Sequence, residues 1–197
     1  MRRLEIFAIS PIIFFALRTL GLGQIITVVL FLGCLTAYPQ QAFKDSNNLK
    51  ALEFLIGEWT ITVDARLSKD GPWERSKARS SIKKAIGNMI LEEEVIGTRQ
   101  DRDWVARCWI AVDNRTLKYR WAFVDSDHGV LELYEGDMSN GSLILQKEII
   151  FPQSRVLRKI VYSNFSTDSF IVRSMRSADN GKTWDVTGTS QYERIKK

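Results

Sequence analysis

From Trp59 onward the chain alternates apolar and polar residues almost to its end. Trp59, Ile61, Val63, Ala65 and Leu67 interleave with Thr60, Thr62, Asp64 and Arg66. A period of two puts alternate side chains on opposite faces of a strand, so this stretch predicts a half-buried β-strand. "SKDGPW" reads as a turn, after which Ala78, Ser80 and Ile82 resume the alternation. Gly87-Asn88 predicts a two-residue hairpin turn. Similar runs follow: "MILEEEVIGT", "WVARCWIAV", "LKYRWAFV", "VLELYE", "SLILQKEIIF", "VLRKIVYS", "SFIVRSMRS" and "TWDVTGTSQY". In the third of these, Leu117, Tyr119, Trp121 and Phe123 share one face. Turn-forming residues separate the runs, giving about ten short antiparallel strands with no helical interruption. Successive hairpins of this kind build a sandwich or a barrel. The prediction is an all-β, antiparallel up-and-down barrel, because closure removes exposed strand edges.

The region before Trp59 is organised differently. "NLKALEFLIG" spaces Leu49, Leu52, Leu55 and Ile56 as a helix does. Asn47 or Asn48 caps its start and Gly57 ends it, for two to three turns. "YPQQAFKDSNN" is polar and reads as a linker. Further upstream, Met1-Arg2-Arg3 is basic, and Leu4–Ala37 carries only Glu5 and Arg18 as charges. Arg18 divides it into two apolar blocks, each short of the ~20 residues of a spanning helix. Each suits the apolar region of a signal peptide, and "AYPQQA" supplies small and polar residues for cleavage. A start near Leu17 would leave one conventional signal. The expected organisation is 1–40 signal peptide or membrane anchor, 41–48 linker, and 49–197 barrel. The expected location is secreted or periplasmic. The alternatives are anchoring by an uncleaved segment or by a lipidated Cys34, since "LFLGC" partly matches a bacterial lipobox.

Charge and cysteine content narrow the class. The 197 residues carry a net charge of +5. Residues 1–40 hold Arg2, Arg3 and Arg18 against Glu5, so the remainder is near +3. A mildly basic surface of this kind is no nucleic-acid footprint. Without Cys34 the one remaining cysteine is Cys108, so no internal disulfide forms and the core must supply the stability. Cys108 shares a face with Ala106 and Ile110 and reads as a small buried hydrophobe.

"SADNGKTW", Ser177 to Trp184, matches the Asp-box pattern of sialidase propellers. A propeller needs several repeated blades of ~40–50 residues, and the chain shows no repeat. A hairpin turn explains the same letters. Asp179 accepts from nearby backbone N–H groups, Asn180-Gly181 supplies positive φ, and Thr183-Trp184 begins the next strand.

Candidate chemistry is sparse. There is no HExxH, no cysteine pair and no His-carboxylate cluster, so no metal site is expected. His128 lies in the turn "DSDHG". In "LEEEV" the alternation sends Glu93 to one face and Glu92 and Glu94 to the other. An inward Glu needs a cationic partner or a raised pKa. Arg107, Arg120, Arg158 and Arg173 lie on strands and are candidate partners. Trp104, Trp121, Phe123, Tyr134 and Tyr192, with Glu93 and Arg120, are the candidate lining of an interior cavity. Gly57, Trp59, Arg194, Asp179 and Gly181 are candidate structural residues.

"LEFLIGEWTI" resembles the opening of a calycin barrel, which carries Gly-x-Trp on its first strand after a short helix. Here the match is Gly57-Glu58-Trp59. The stretch Leu49–Arg194 resembles a bacterial group of lipocalin-like domains with a "FLIGxW" start and a late "DGKxW…Y.R" hairpin. In this chain that hairpin is "NGKTWDVTGTSQYER". The resemblance implies a barrel whose first-strand Trp59 is covered by Arg194 from the last strand. A related group, the nitrobindins, binds haem through a late His. The only His here is His128, which leaves Tyr192 or Tyr134 as ligands, so no haem or other cofactor is expected. The leading expectation is an exported barrel binding a small, mostly apolar molecule, with membrane contact only through its N-terminal segment. The runner-up is a barrel enzyme using an interior Glu, Tyr or Arg. A third reading is an envelope module with a filled core.

Overall fold

The computed structural model describes residues 47–196 except Leu67 and Gln100; the expectations for Leu4–Ala37 and Cys34 lie outside the described residues. A helical turn α1 (Asn47–Lys50) and a 3-10 turn (Glu53–Leu55) precede ten strands. These are β1 (Gly57–Ala65), β2 (Glu74–Ala85), β3 (Ile90–Arg99), β4 (Arg102–Val112), β5 (Tyr119–Asp125), β6 (Glu132–Ser139), β7 (Ser142–Phe151), β8 (Ser154–Ser163), β9 (Ser169–Ser177) and β10 (Asp185–Arg194). All neighbours are antiparallel and consecutive, and β10 returns to β1, closing the barrel.

The local sequence accounts for the turns. Asn140-Gly141 and Asn180-Gly181 adopt positive φ at two hairpin tips, as do Asp101 and Asn164 at two others. These residue types tolerate that region at least cost. Three expectations need correction. Ala85 pairs with Ile90, so the β2–β3 connection is the four residues Ile86–Met89 rather than two. Leu117 lies in a loop at φ 58, exposed, and does not share the face of Tyr119 and Trp121. The predicted helix of two to three turns is shorter, because α1 gives way to a 3-10 turn before Gly57.

The 3-10 turn sits over one end of the barrel. Leu49, Leu52 and Leu55 are buried there against Trp59, Leu91, Leu143 and Phe170. Trp59 meets Phe170 edge-to-face at 4.9 Å, and Phe170 stacks on Tyr192 at 4.1 Å. Burying such side chains is worth roughly 1.5–3 kcal/mol each, and aromatic pairing adds to it. This end is filled and closed.

Arg194 locks that end. It pairs with Trp59 across the closing β1–β10 ladder. Its guanidinium lies 4.0 Å from the Trp59 ring centroid. It also donates to the carbonyls of Phe54 (2.6 Å), Ile56 (2.9 Å) and Thr167 (2.7 Å). The Trp59 indole N–H donates to Leu55 O at 2.8 Å, so the turn's last carbonyls are satisfied from two strands. Gly57 makes room for this: its φ is +145, and a Cβ there would stand 2.3 Å from Arg194 Nη1.

Arg194→Ala removes the cation–π contact and leaves three carbonyls without their donor, so it should destabilise the barrel by about 3 kcal/mol. Arg194→Lys should recover less than half of that, since an ammonium lacks the flat fork. Gly57→Ala should lower the unfolding midpoint in the same direction. Urea unfolding of the three variants checks this, and wild-type stability for Arg194→Ala would refute the clamp.

Candidate functional site

Residues paired directly across strands share a face, so the register assigns the interior. Ile82, Glu93, Cys108, Phe123 and Glu132 form one lateral row across β2 to β6. Leu91, Ile110, Trp121 and Tyr134 form the row next to it, toward the closed end. All these side chains point inward.

At mid-height the interior turns polar. Glu93 is buried, and its Oε1 accepts from Ser80 Oγ at 2.6 Å and from Tyr192 Oη at 3.0 Å. Among the described residues no cation pairs with it. Burial pushes the Glu93 carboxyl above its ordinary value, and the two hydrogen bonds offset this only in part. The expected arginine partners lie elsewhere. Arg107 pairs with Glu92 and Glu94 on the outer face, and Arg173 donates to the Ser163 hydroxyl. Trp121 Nε1 donates to Tyr162 Oη at 2.9 Å. Cys108 is buried beside this pair, and burial, reinforced by the Glu93 charge, pushes its thiol well up. It is a core residue and no nucleophile.

Beyond this level, toward the open end, the interior-facing aromatics are only partly buried. Trp104 and Phe123 are half-buried against the core. Phe123 stacks on Trp121 at 5.3 Å. Trp104 Nε1 is a buried donor with no acceptor, the one such side-chain atom among the described residues. An unsatisfied buried N–H costs about 1–3 kcal/mol, and natural proteins leave few of them.

The open rim carries charge. Glu132 Oε1 lies 2.9 Å from both Lys147 Nζ and Arg158 Nη1, and Tyr134 Oη donates to Oε2 at 2.9 Å. Burial alone would raise Glu132, but these contacts outweigh it and hold its carboxyl low. Lys147 Nζ also stands 4.9 Å from the Tyr134 ring centroid.

Most expected lining residues therefore converge. Trp104, Trp121, Phe123, Tyr134, Tyr192 and Glu93 all face the interior. Arg120 is a correction: it pairs with Ala111 and Glu135 on the outer face, where its guanidinium contacts Glu135 and Asp113. On β5 the inward set is Tyr119, Trp121 and Phe123, so alternation sends Arg120 outward. Sequence reading passed over Ser80, Tyr162, Glu132 and Lys147. Their inward parity was legible, but Ser80 and Lys147 look like surface residues until their partners are known. An open groove of about 1090 Å³ crosses β4 to β8, lined by the outward Ala111, Ala122 and Leu133 and also by Trp121, Tyr134 and Lys147.

The "SADNGKTW" segment is a turn. Ser177 Oγ accepts from the Gly181 N–H (2.8 Å), and Asp179 Oδ1 accepts from the Thr183 N–H (2.9 Å). Those Thr183 bonds hold the Asp179 carboxyl well below the usual range. The strand starts at Asp185, one residue after Trp184, whose indole instead donates to Gly181 O. His128 is likewise a loop residue, its ring 3.0 Å from Asp125. Among the described residues no group of His, Cys, Asp or Glu side chains converges to hold a metal ion.

A family model described as "Protein of unknown function (DUF1579)" matches residues 45–194. The chain belongs to this family. No curated protein matches it. Among solved structures it is similar to an S-type phycobiliprotein lyase, CPES, from Guillardia theta, with a TM-score of 0.52 and 11% identity over 76% of this chain and 93% of that one. It is also similar to Rv2717c from M. tuberculosis, with a TM-score of 0.51 and 11% identity over 76% of this chain and 98% of that one. At such identity the likeness is one of fold.

Glu93 binds its proton more tightly folded than unfolded, so its contribution to stability is full below the unfolded value near 4.5 and is lost as pH rises through the raised folded value. Wild type should therefore lose stability relative to Glu93→Gln as pH rises above 4.5. Urea midpoints across that range measure the difference, and parallel curves would show that Glu93 titrates normally.

Proposed function

We propose that this DUF1579 barrel is a calycin-type binding protein. It takes one small, mostly apolar molecule into the open half of its interior. The observation that carries this reading is the buried Trp104 Nε1, a donor without an acceptor set among half-buried aromatic walls. A ligand oxygen or nitrogen would satisfy it. The filled end supports the reading, since Trp59, Phe170 and the 3-10 turn make a floor that keeps the interior from being a through-channel. Glu93, Ser80 and Tyr192 add polar groups just above that floor. A chromophore-handling lyase among the proteins of similar fold is consistent with a small-molecule role. The reading includes export, on the apolar Leu4–Ala37 segment, and N-terminal sequencing of the protein from cells tests that part.

Two matched probes test the site. Benzophenone offers a carbonyl acceptor, and diphenylmethane has the same rings without it. Trp104→Phe should weaken benzophenone about fivefold, the worth of one hydrogen bond, and leave diphenylmethane unchanged. Calorimetric titration reads both. Failure of either probe to bind the folded wild type at millimolar concentration would overturn the reading.

A further inference from the structure

The rim has a charge pattern that stability does not explain. Lys147 of β7 pairs directly with Arg158 of β8, and Arg158 pairs directly with Arg176 of β9. Three cations thus stand side by side on three adjacent strands, all on the interior face. Like charges directly opposite each other in a ladder repel. A barrel selected for stability alone would alternate their signs. The carboxylates nearby do not balance them. Glu132 serves both Lys147 and Arg158 through one oxygen. Asp185, opposite Arg176 on β10, contacts Lys69 at 3.5 Å. Asp125 on β5 accepts from the backbone and ring of its own loop. Arg176 is exposed and has no carboxylate partner among the described residues.

We propose that Lys147, Arg158 and Arg176 form an anion-binding row at the barrel mouth, which holds the anionic end of the molecule whose apolar part occupies the open half. This rests on the reading of the interior given above and adds the ligand's chemistry: an amphipathic molecule with one apolar body and one terminal anion, carboxylate or phosphate. The geometry fits that class. Phe123 lies directly opposite Glu132, so the aromatic wall begins where the charged rim ends. An apolar body against Phe123 and Trp104 places its head at the cations. Arginine's planar fork suits either anion.

The test is calorimetric titration of the full-length chain with dodecanoate, dodecyl phosphate and dodecanol below their aggregation limits. Wild type should bind at least one of the two anions ten or more times as tightly as dodecanol, and added salt should narrow the gap. Whichever anion binds better names the headgroup. Arg176→Gln changes an exposed, unpaired side chain and should fold normally. It should weaken the anion about tenfold and leave dodecanol unchanged, and Arg158→Gln should do the same. Equal binding of dodecanol and both anions overturns the anion row and leaves the interior site standing. So does unchanged anion affinity in both variants. Binding of none of the three to folded wild type overturns the interior site as well.

Discussion

The contact on which the barrel depends is the Arg194 guanidinium over the Trp59 indole. These residues are 135 positions apart in the chain, and they meet only because β10 returns to β1. A closed barrel has no free edge, but its first and last strands must find each other late, after the loop-closure cost is met. The clamp rewards that step specifically. A cation over an aromatic face in a partly dry site is worth up to about 2 kcal/mol. The same guanidinium satisfies carbonyls of the 3-10 turn, so closing the sheet and capping its end are one event. Gly57 follows as a steric consequence, since any side chain there would occupy the space of Arg194 Nη1.

Above the clamp the interior holds a buried acid without a counter-charge. An ionised carboxylate there would be costly to desolvate, and two hydroxyl donors do not replace water. Burial therefore raises the Glu93 carboxyl above its ordinary value, which favours its neutral form. This removes the need for an inward arginine at mid-height. Arg158 and Arg176, which face inward by parity, lie at the rim where water still solvates them.

The sequence carried the fold more fully than the site. Period-two alternation located the strands because one face of each is dry and the other wet, and that contrast persists in every strand. Gly57, Trp59 and Arg194 were legible as a set through the Gly-x-Trp resemblance. Glu93 was legible as inward by parity. Its partners were not: Ser80, on the neighbouring strand β2, looks like a surface residue, and Tyr192 comes from β10, which meets β3 only across the barrel interior. Arg120 was misassigned although the alternation of Tyr119, Trp121 and Phe123 along its strand already sends it to the opposite face. The short 3-10 turn was read as a longer helix because Leu49, Leu52 and Leu55 recur every three residues, a spacing that both helix types share.

The two ends of the barrel differ in how fully their strands are paired and their interior is packed. At the closed end the interior is packed around Trp59 and Phe170, and the first and last strands are paired. At the open end the ladders stop early: β6 and β7 pair only as far as Glu135 and Gln146, and β8 and β9 only as far as Leu157 and Ser177. The β7–β8 hairpin continues to Phe151 and Ser154, so beyond those points it pairs only with itself. An unsupported two-stranded ribbon is marginally stable. Its tip exposes Ile150 and Phe151, and Lys147 and Arg158 stand at its root beside Glu132. The one salt-bridge cluster of the rim thus ties the least supported hairpin to β6. Any anion that competes with Glu132 for those cations also loosens that tie.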